Sequence, residues 1–204
     1  MDSNKIEIVF ILDRSGSMYQ LTNDTIGGYN SYIESQKKVE GLANLTTVLF
    51  DDKYEVLHDG IDIDDIKPLT TEEYFTRGST ALLDAIGKTM ATVGDRLANM
   101  DEDKKPGKVL VVITTDGYEN SSKEYTQKQI KDIIDLQTSI GWQFIFLGAN
   151  VDSFDVAGNI GISVFSNYSP TPLGTQSIYS SLAVTISGYM KTGTISNDWN
   201  DGIK

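Results

Sequence analysis

Short apolar runs rich in β-branched residues recur along the chain and predict the strands of a sheet. The run at 109–114 is nearly continuous Val and Ile, which is typical of a central parallel strand that is buried on both faces. The run that ends at Phe50 is followed by the turn Asp51-Asp52 and an alternating segment, so a hairpin with one antiparallel edge strand is expected. The predicted strands cover residues 5–12, 46–50, 54–58, 109–114, 144–147 and 162–165.

Helical periodicity fills the segments between these strands. Residues 80–100 carry apolar side chains at helical spacing from Leu82 to Leu97, which predicts one buried face. Thr171-Pro172 is typical of a helix N-terminus, and Gly193 of a helix end. Further helices are predicted over residues 23–38, 126–139 and 153–158. Strands that alternate with helices predict a three-layer α/β fold, with a mostly parallel sheet of about six strands and helices on both faces.

Composition and charge narrow the classes of function. The 204 residues suffice for one domain with a core, so we expect a single domain over 1–193 and a polar tail over 194–204, onto which Ile195 and Trp199 could pack back. A net charge of −12 disfavours nucleic acid and anionic membrane as partners and favours cations and basic surfaces. Cysteine is absent, which excludes disulfides, thiolate ligands and a Cys nucleophile. The sequence shows no secretory signal and no membrane span, so a cytoplasmic location is expected.

Oxygen-bearing side chains follow the predicted strands at three places. Asp13, Ser15 and Ser17 come directly after the first strand, Thr80 lies in a loop that opens a helix, and Asp116 follows the fourth strand. Ligands bind beyond the carboxyl ends of strands in open parallel sheets, so these side chains can meet if the first and fourth strands are neighbours. Each segment alone is more typical of a turn or a helix cap. Together they predict a site for a hard divalent cation, namely Mg²⁺, Mn²⁺ or Ca²⁺.

The three motifs resemble the metal-ion-dependent adhesion site (MIDAS) of the von Willebrand factor A (VWA) domain family. They are Asp-x-Ser-x-Ser at 13–17, Gly-Ser-Thr-Ala-Leu around Thr80, and Thr-Asp-Gly at 115–117. The resemblance covers roughly residues 5–190 and includes all five ligand positions: Asp13, Ser15, Ser17, Thr80 and Asp116.

The resemblance implies both a fold and a mechanism. The fold is Rossmann-like, with one antiparallel edge strand. Ser15, Ser17 and Thr80 would be candidate direct ligands of Mg²⁺, or of Mn²⁺ or Ca²⁺. In family members the residues at the positions of Asp13 and Asp116 often act through water or by supporting the direct ligands. A vacant position on the metal would accept an Asp or Glu carboxylate from a partner protein. The chain resembles small intracellular prokaryotic or phage-type members, which serve in multiprotein machines such as AAA+ ATPase systems.

Two other functions remain open on sequence grounds. A strand-end Asp with Mg²⁺ is also found in aspartyl-phosphate phosphatases, where Asp13 would be the nucleophile. Those enzymes carry Asp-x-Asp, whereas Ser15 stands at the second position here, and no matching Lys motif follows. A single histidine, His58, gives little support to His-based acid–base chemistry. The metal could also serve only as a structural staple. The sequence favours a non-enzymatic binding module.

Four residues near the motifs have more than one possible role. Asp84 and Glu119 could support the metal ligands, but a solvated or helix-capping role is more typical of such positions. Tyr19 and Tyr118 flank the first and third motifs, and exposed aromatic rings beside a metal could contact a partner.

Overall fold

Six strands form one sheet in the computed structural model, which describes residues 1–39 and 41–203. Glu40, inside the predicted domain, and Lys204, at the end of the predicted tail, lie outside the described residues. The strand order is β3-β2-β1-β4-β5-β6. The strands are β1 (Asp2–Asp13), β2 (Leu42–Phe50), β3 (Tyr54–Asp62), β4 (Pro106–Thr115), β5 (Gln143–Gly148) and β6 (Phe165–Asn167).

The predicted mostly parallel sheet with one antiparallel edge is confirmed. β1 pairs in parallel with β2 and with β4, and β5 pairs in parallel with β4 and β6. Only β3, at the edge, runs antiparallel to its neighbour among the described strands. Leu12 lies opposite Leu49 on one side and Thr114 on the other, so β1, β2 and β4 end at the same level. Their carboxyl ends therefore lie together at one edge of the sheet.

The strands β1 to β5 contain the predicted runs and extend them by one to four residues at one or both ends. Two further differences concern the β2–β3 turn and the last strand. The β2–β3 turn contains three residues rather than the expected two, because the Asp51 N–H donates to the Lys53 carbonyl at 3.0 Å. The last strand is Phe165–Asn167 rather than 162–165. Ile162 is buried, but it packs its side chain into the core before the backbone joins the sheet. The apolar character of Ile162 correctly indicated a buried side chain, but it did not indicate that the backbone pairs with a neighbouring strand at this residue.

Helices cover both faces of the sheet. They are α1 (Thr22–Gln36), α2 (Leu82–Ala98), α3 (Gln127–Ser139), α4 (Ser153–Asn159) and α5 (Pro172–Thr192). Alternate β1 side chains enter two separate cores: Ile8 and Phe10 pack with α1 and α5, while Val9 and Ile11 pack with α2, α3 and α4. This double burial explains why β1 and β4 read as continuous apolar runs.

The last helix has the predicted ends. Thr171 caps α5 by accepting the Gly174 N–H, Pro172 occupies the first turn, and Gly193 ends the helix with φ of 74°. Beyond it, the partly buried Ile195 and Trp199 pack against the core that contains α1 and α5. None of the helices in the described part of the chain is both long and apolar enough to span a membrane.

Candidate metal centre

Three loops meet at the carboxyl edge of the sheet, where β1 and β4 lie side by side. The first loop follows β1 and leads into the short 3-10 helix Gly16–Leu21, the second precedes α2, and the third follows β4. The strand order reverses between β1 and β4, and ligands bind at this position in open α/β sheets. All five predicted ligand residues lie at or just beyond this edge: Asp13, Ser15, Ser17, Thr80 and Asp116.

Asp13 anchors the first loop at the end of β1. Its Oδ1 accepts a hydrogen bond from the Ser15 N–H at 2.6 Å, and its Oδ2 accepts one from the Thr115 hydroxyl at 2.6 Å. The Tyr74 hydroxyl donates to the Asp13 carbonyl at 2.5 Å. The carboxylate is fully buried, and both of its oxygens are engaged by the protein. Asp13 therefore fixes the loop that carries Ser15 and joins β1 to β4.

The hydroxyl groups of Ser15 and Ser17 lead from this anchor to Asp116. Their Oγ atoms lie 3.0 Å apart, and the Ser17 hydroxyl donates to Asp116 Oδ1 at 2.5 Å. A hydroxyl that donates its proton to a carboxylate keeps its lone pairs for an electropositive ligand. Ser15 and Asp116 are buried, whereas Ser17 is exposed. The cluster is therefore open to solvent at Ser17.

Thr80 reaches the same place from the second loop. A Cβ atom on Gly117 would lie 3.1 Å from Thr80 Oγ1 and 3.2 Å from Ser17 Oγ, so both oxygens pack against this glycine. The Thr80 N–H donates to Asn120 Oδ1 at 2.9 Å, and the Thr80 carbonyl accepts the Asn120 N–H at 3.0 Å. Within residues 1–39 and 41–203, no group hydrogen bonds with Thr80 Oγ1, although Thr80 is only 3% exposed. A hydroxyl that makes no protein hydrogen bond keeps its lone pairs for a ligand.

The third loop, and not the second, caps α2. Ala81 is the N-cap residue of this helix and makes no side-chain cap. Instead the Leu83 N–H donates to Glu119 Oε2 at 2.9 Å. In return, the Asp84 carboxylate accepts three N–H groups from residues 123–125, each at 2.9 Å. Asp84 and Glu119 thus act in helix capping and loop attachment, because their carboxylates join the third loop to the start of α2.

Burial sets the electrostatics of the two carboxylates. It raises the pKa of Asp13 to about 6, although hydrogen bonds from Thr115 and Ser15 act in the opposite direction, and the nearby Asp116 adds to the rise. Burial also raises the pKa of Asp116, against the effect of the Ser17 hydrogen bond. A nearby positive charge stabilises the ionised form of a carboxylate. A cation at this place would therefore relieve an unfavourable burial of negative charge.

The donor set fits a hard divalent cation. In the described part of the chain, no cluster of three or more His, Asp or Glu side chains is suited to a metal, so an ion here would depend on the hydroxyl groups. Mg²⁺ is usually bound through one or two carboxylates, and its other positions are filled by neutral oxygens and water. Two carboxylates and three hydroxyls, one of them without a partner, match that pattern. Metal binding itself stays a prediction.

Aromatic side chains stand beside the cluster. Tyr19 and Tyr118 are 76% and 57% exposed, and each follows a predicted ligand by two positions. The Tyr118 hydroxyl accepts the Asp152 N–H at 3.3 Å. His58 lies in the middle of the edge strand β3, opposite Thr47. Two exposed tyrosines therefore flank candidate ligands in the chain, whereas His58 belongs to the edge strand.

Sequence reasoning missed three residues of the centre. Thr115 holds Asp13, and the register that pairs Leu12 with Thr114 places it there, so aligning the two strand ends could have found it. Asn120 holds the Thr80 backbone, and its contact depends on the path of the third loop, for which the sequence offers no signal. Arg14 lies between two of the candidate ligands in the chain, and no pattern in the sequence indicates that its side chain is fully buried.

The fold resembles that of solved VWA structures, while the sequence matches no protein-family model and no curated protein. The vWF domain of the type V pili tip protein Mfa5 from Porphyromonas gingivalis aligns with a TM-score of 0.69 and 11% identity, over 97% of this chain and 100% of that one. Proximal thread matrix protein 1 from the mussel byssus, with a zinc-occupied MIDAS motif, aligns with a TM-score of 0.60 and 16% identity, over 90% and 46% of the two chains.

A third solved structure extends the comparison to archaea. The ArnB paralog VWA2 from Sulfolobus acidocaldarius aligns with a TM-score of 0.56 and 20% identity, over 89% of this chain and 44% of that one. The chain thus spans less than half the length of the mussel and archaeal proteins. Identities of 11–20% support a shared fold only. The structure accordingly has the VWA fold, as the sequence analysis predicted.

Proposed function

We propose that this chain is a divalent-metal-dependent protein-binding module, with a metal held by Asp13, Ser15, Ser17, Thr80 and Asp116. The observation that carries the proposal is the convergence of three hydroxyls and two carboxylates from three loops at one point of the sheet edge. The VWA fold supports it, and so does the zinc-occupied MIDAS motif of the mussel protein. Mg²⁺ is the proposed ion, with Mn²⁺ or Ca²⁺ as alternatives.

Neutral ligands give this centre its proposed mode of binding. The hydroxyls of Ser15, Ser17 and Thr80 add no negative charge, so an ion bound through them would act as a Lewis acid toward a further carboxylate. Asp13 would act by holding Ser15, and Asp116 by holding the Ser17 hydroxyl. An Asp or Glu side chain of a partner protein would complete the coordination. The exposed rings of Tyr19 and Tyr118 could then contact the residues around that carboxylate.

The engagement of Asp13 supports binding rather than catalysis. A phosphatase nucleophile needs a free carboxylate oxygen, whereas both oxygens of Asp13 accept hydrogen bonds inside the protein. The proposed function is therefore non-enzymatic. Mg²⁺-dependent phosphatase turnover that is abolished by Asp13→Ala would overturn this choice.

A cytoplasmic location and a partner within a multiprotein machine remain proposals from the sequence. The absence of cysteine and the net charge of −12 are compatible with both. A partner surface of basic residues around one carboxylate would complement this acidic chain. An AAA+ ATPase assembly, as in the small prokaryotic or phage-type members that the chain resembles, is the first assembly to test by co-purification.

Calorimetric titration with Mg²⁺ and Mn²⁺ tests the metal site. The wild-type protein should bind one ion, and Ser17→Ala should weaken binding without loss of fold, because Ser17 is exposed. Ser163→Ala, at an exposed serine outside the loops, is the matched control and should bind like the wild type. Equal affinity in Ser17→Ala and Ser163→Ala would contradict the assigned ligand set.

Partner capture in Mg²⁺ and in EDTA tests the binding function. A partner held only in Mg²⁺, and lost with Ser17→Ala, supports the proposal. A large rise in melting temperature with Mg²⁺, together with capture that is insensitive to EDTA, would instead indicate that the metal is a structural staple.

A further inference from the structure

Arg14 lies between two predicted ligands in the chain, and its side chain is fully buried. Its Nε donates to Asp51 Oδ2 at 3.1 Å, its Nη2 to Glu55 Oε2 at 2.7 Å, and its Nη1 to the Glu73 carbonyl at 3.3 Å. Burial of a charge is costly unless its partners are placed accurately. The three acceptors therefore define one position for Arg14 and for the loop that carries it.

Asp51 connects this arginine to the loop that carries Thr80. Its Oδ2 also accepts a hydrogen bond from Arg77 Nε at 2.7 Å, and its backbone carbonyl accepts the Ala81 N–H at 2.9 Å. The Lys53 N–H donates to Asp51 Oδ1 at 2.7 Å. Asp51 is fully buried, so one carboxylate receives two guanidinium groups from two different loops.

Backbone hydrogen bonds lie beside these ion pairs. The Arg77 N–H donates to the Arg14 carbonyl at 2.9 Å, and the Gly16 N–H donates to the Gly78 carbonyl at 3.2 Å. Gly78 has φ of 65°, and a Cβ atom there would collide with the Asp52 carboxylate. The first two loops thus form one unit whose side-chain links are Arg14, Asp51 and Arg77.

We infer that Arg14 and Asp51 are positioning residues, which set the distance between the serine-bearing loop and the Thr80 loop and thereby the metal affinity. This inference rests on the proposed function. Mg²⁺ demands near-octahedral geometry, so a small displacement of one hydroxyl relative to the others lowers its affinity. The planar guanidinium of Arg14 engages Asp51 and Glu55 at once, and a lysine ammonium cannot reproduce that fork.

A charge-conserving substitution tests the geometry. Arg14→Lys keeps the positive charge and removes the fork, so it should lower Mn²⁺ affinity by about 10- to 100-fold in calorimetric titration. Arg96→Lys is the matched control, because Arg96 Nη2 donates to the fully buried Glu7 at 2.6 Å in the same sheet, away from the three loops. Both variants should unfold at lower urea concentration, but only Arg14→Lys should lose metal affinity.

Further variants keep the test decisive if Arg14→Lys fails to fold. Asp51→Asn removes the shared acceptor, and Arg77→Lys alters the partly exposed arm of the same cluster. Each should weaken Mn²⁺ binding, and the double variant Arg14→Lys/Asp51→Asn should lose less affinity than the two single losses combined.

Three outcomes would overturn the inference. Wild-type affinity in folded Arg14→Lys or Asp51→Asn protein would show that the cluster does not position the ligands. An equal loss in Arg96→Lys would show that affinity follows overall stability. If the wild-type protein binds no Mn²⁺, the proposed function fails and this inference fails with it, whereas the first two outcomes leave metal binding intact.

Discussion

Asp13→Asn should stabilise the metal-free protein while weakening its metal binding, because it removes one of the two carboxylate charges of the candidate centre. Asp13 is fully buried, and burial raises its pKa from 3.8 to about 6. Because the pKa in the folded state is the higher one, the stability that protonated Asp13 contributes is fully present below pH 3.8 and is lost as the pH rises through about 6. At about 1.4 kcal/mol per pH unit, the full loss is about 3 kcal/mol.

The local hydrogen bonds suit an asparagine. Its Oδ1 can accept the Ser15 N–H, and its Nδ2 can donate to the Thr115 hydroxyl, which lies 3.0 Å from the Gly117 carbonyl and can donate there instead. The substitution therefore removes a buried charge and keeps both hydrogen-bond partners of Asp13, while the second Nδ2 hydrogen of the asparagine gains no partner and offsets part of the benefit. In EDTA near pH 7.5, the free energy of unfolding should rise by up to about 3 kcal/mol.

Urea unfolding at two pH values, with and without Mg²⁺, measures the effect. The gain should shrink to below about 1 kcal/mol near pH 4, where Asp13 is protonated in the folded wild type. Mg²⁺ at about 100 times its Kd for the wild type should stabilise the wild type by about 2.7 kcal/mol and should stabilise the variant by less. The exposed Asp103→Asn is the control and should behave like the wild type. A variant less stable than the wild type in EDTA at pH 7.5, or a gain that persists at pH 4, would refute the reasoning.

Three further substitutions test the surroundings of the centre. Asn120→Ala leaves the Thr80 N–H without its acceptor, so the free energy of unfolding in urea should fall by about 1–2 kcal/mol. Mn²⁺ binding measured by calorimetry should be about tenfold weaker, and unchanged affinity would exclude Asn120 from positioning Thr80. Burial alone would raise the pKa of Asp84, but three backbone N–H donors lower it, so Asp84→Asn should cost about 1–3 kcal/mol near pH 7. The difference in free energy of unfolding between the wild type and Asp84→Asn should vanish as the pH falls through the lowered pKa of Asp84 in the folded state. A difference that does not change with pH would contradict this prediction. Tyr118→Ala should leave Mn²⁺ affinity unchanged and weaken metal-dependent partner capture by about 1 kcal/mol or more, whereas a loss of metal affinity would give Tyr118 a different role.

The sequence predicted the fold because two signals agreed. Apolar runs marked β1 and β4 as strands, the run of β4 as one buried on both faces. The capping pair Thr171-Pro172 with Gly193 marked both ends of α5. The exception was β6, where Ile162 is apolar and buried without being part of the strand. Side-chain burial and backbone pairing are separate properties, and a short edge strand shows the difference.

The position of the candidate ligands at the sheet edge was predictable, and most of the residues that support them were not. Asp13 is the last residue of β1 and Asp116 directly follows β4, so local sequence places both at the sheet edge. Asn120 and Asp51 act through contacts with residues 40 and 37 positions away in the chain. Such contacts depend on how the loops run in three dimensions, and Asn or Asp in a loop is equally typical of an ordinary turn.

The parallel pairing of β1 with β4 couples any bound ion to the cooperative unfolding of the whole domain. Asp13 and Thr115 are 102 positions apart in the chain, and Ser17 and Asp116 are 99 apart, so no local fragment contains the centre. In the unfolded chain each of the three loops offers at most one of the two carboxylates. An ion would therefore bind almost only to the native state. Its free energy of binding would then add to the free energy of global unfolding. Amide hydrogens deep in β1 and β4, which exchange only on complete unfolding, would then slow as much in the presence of metal as those of the loops that hold it.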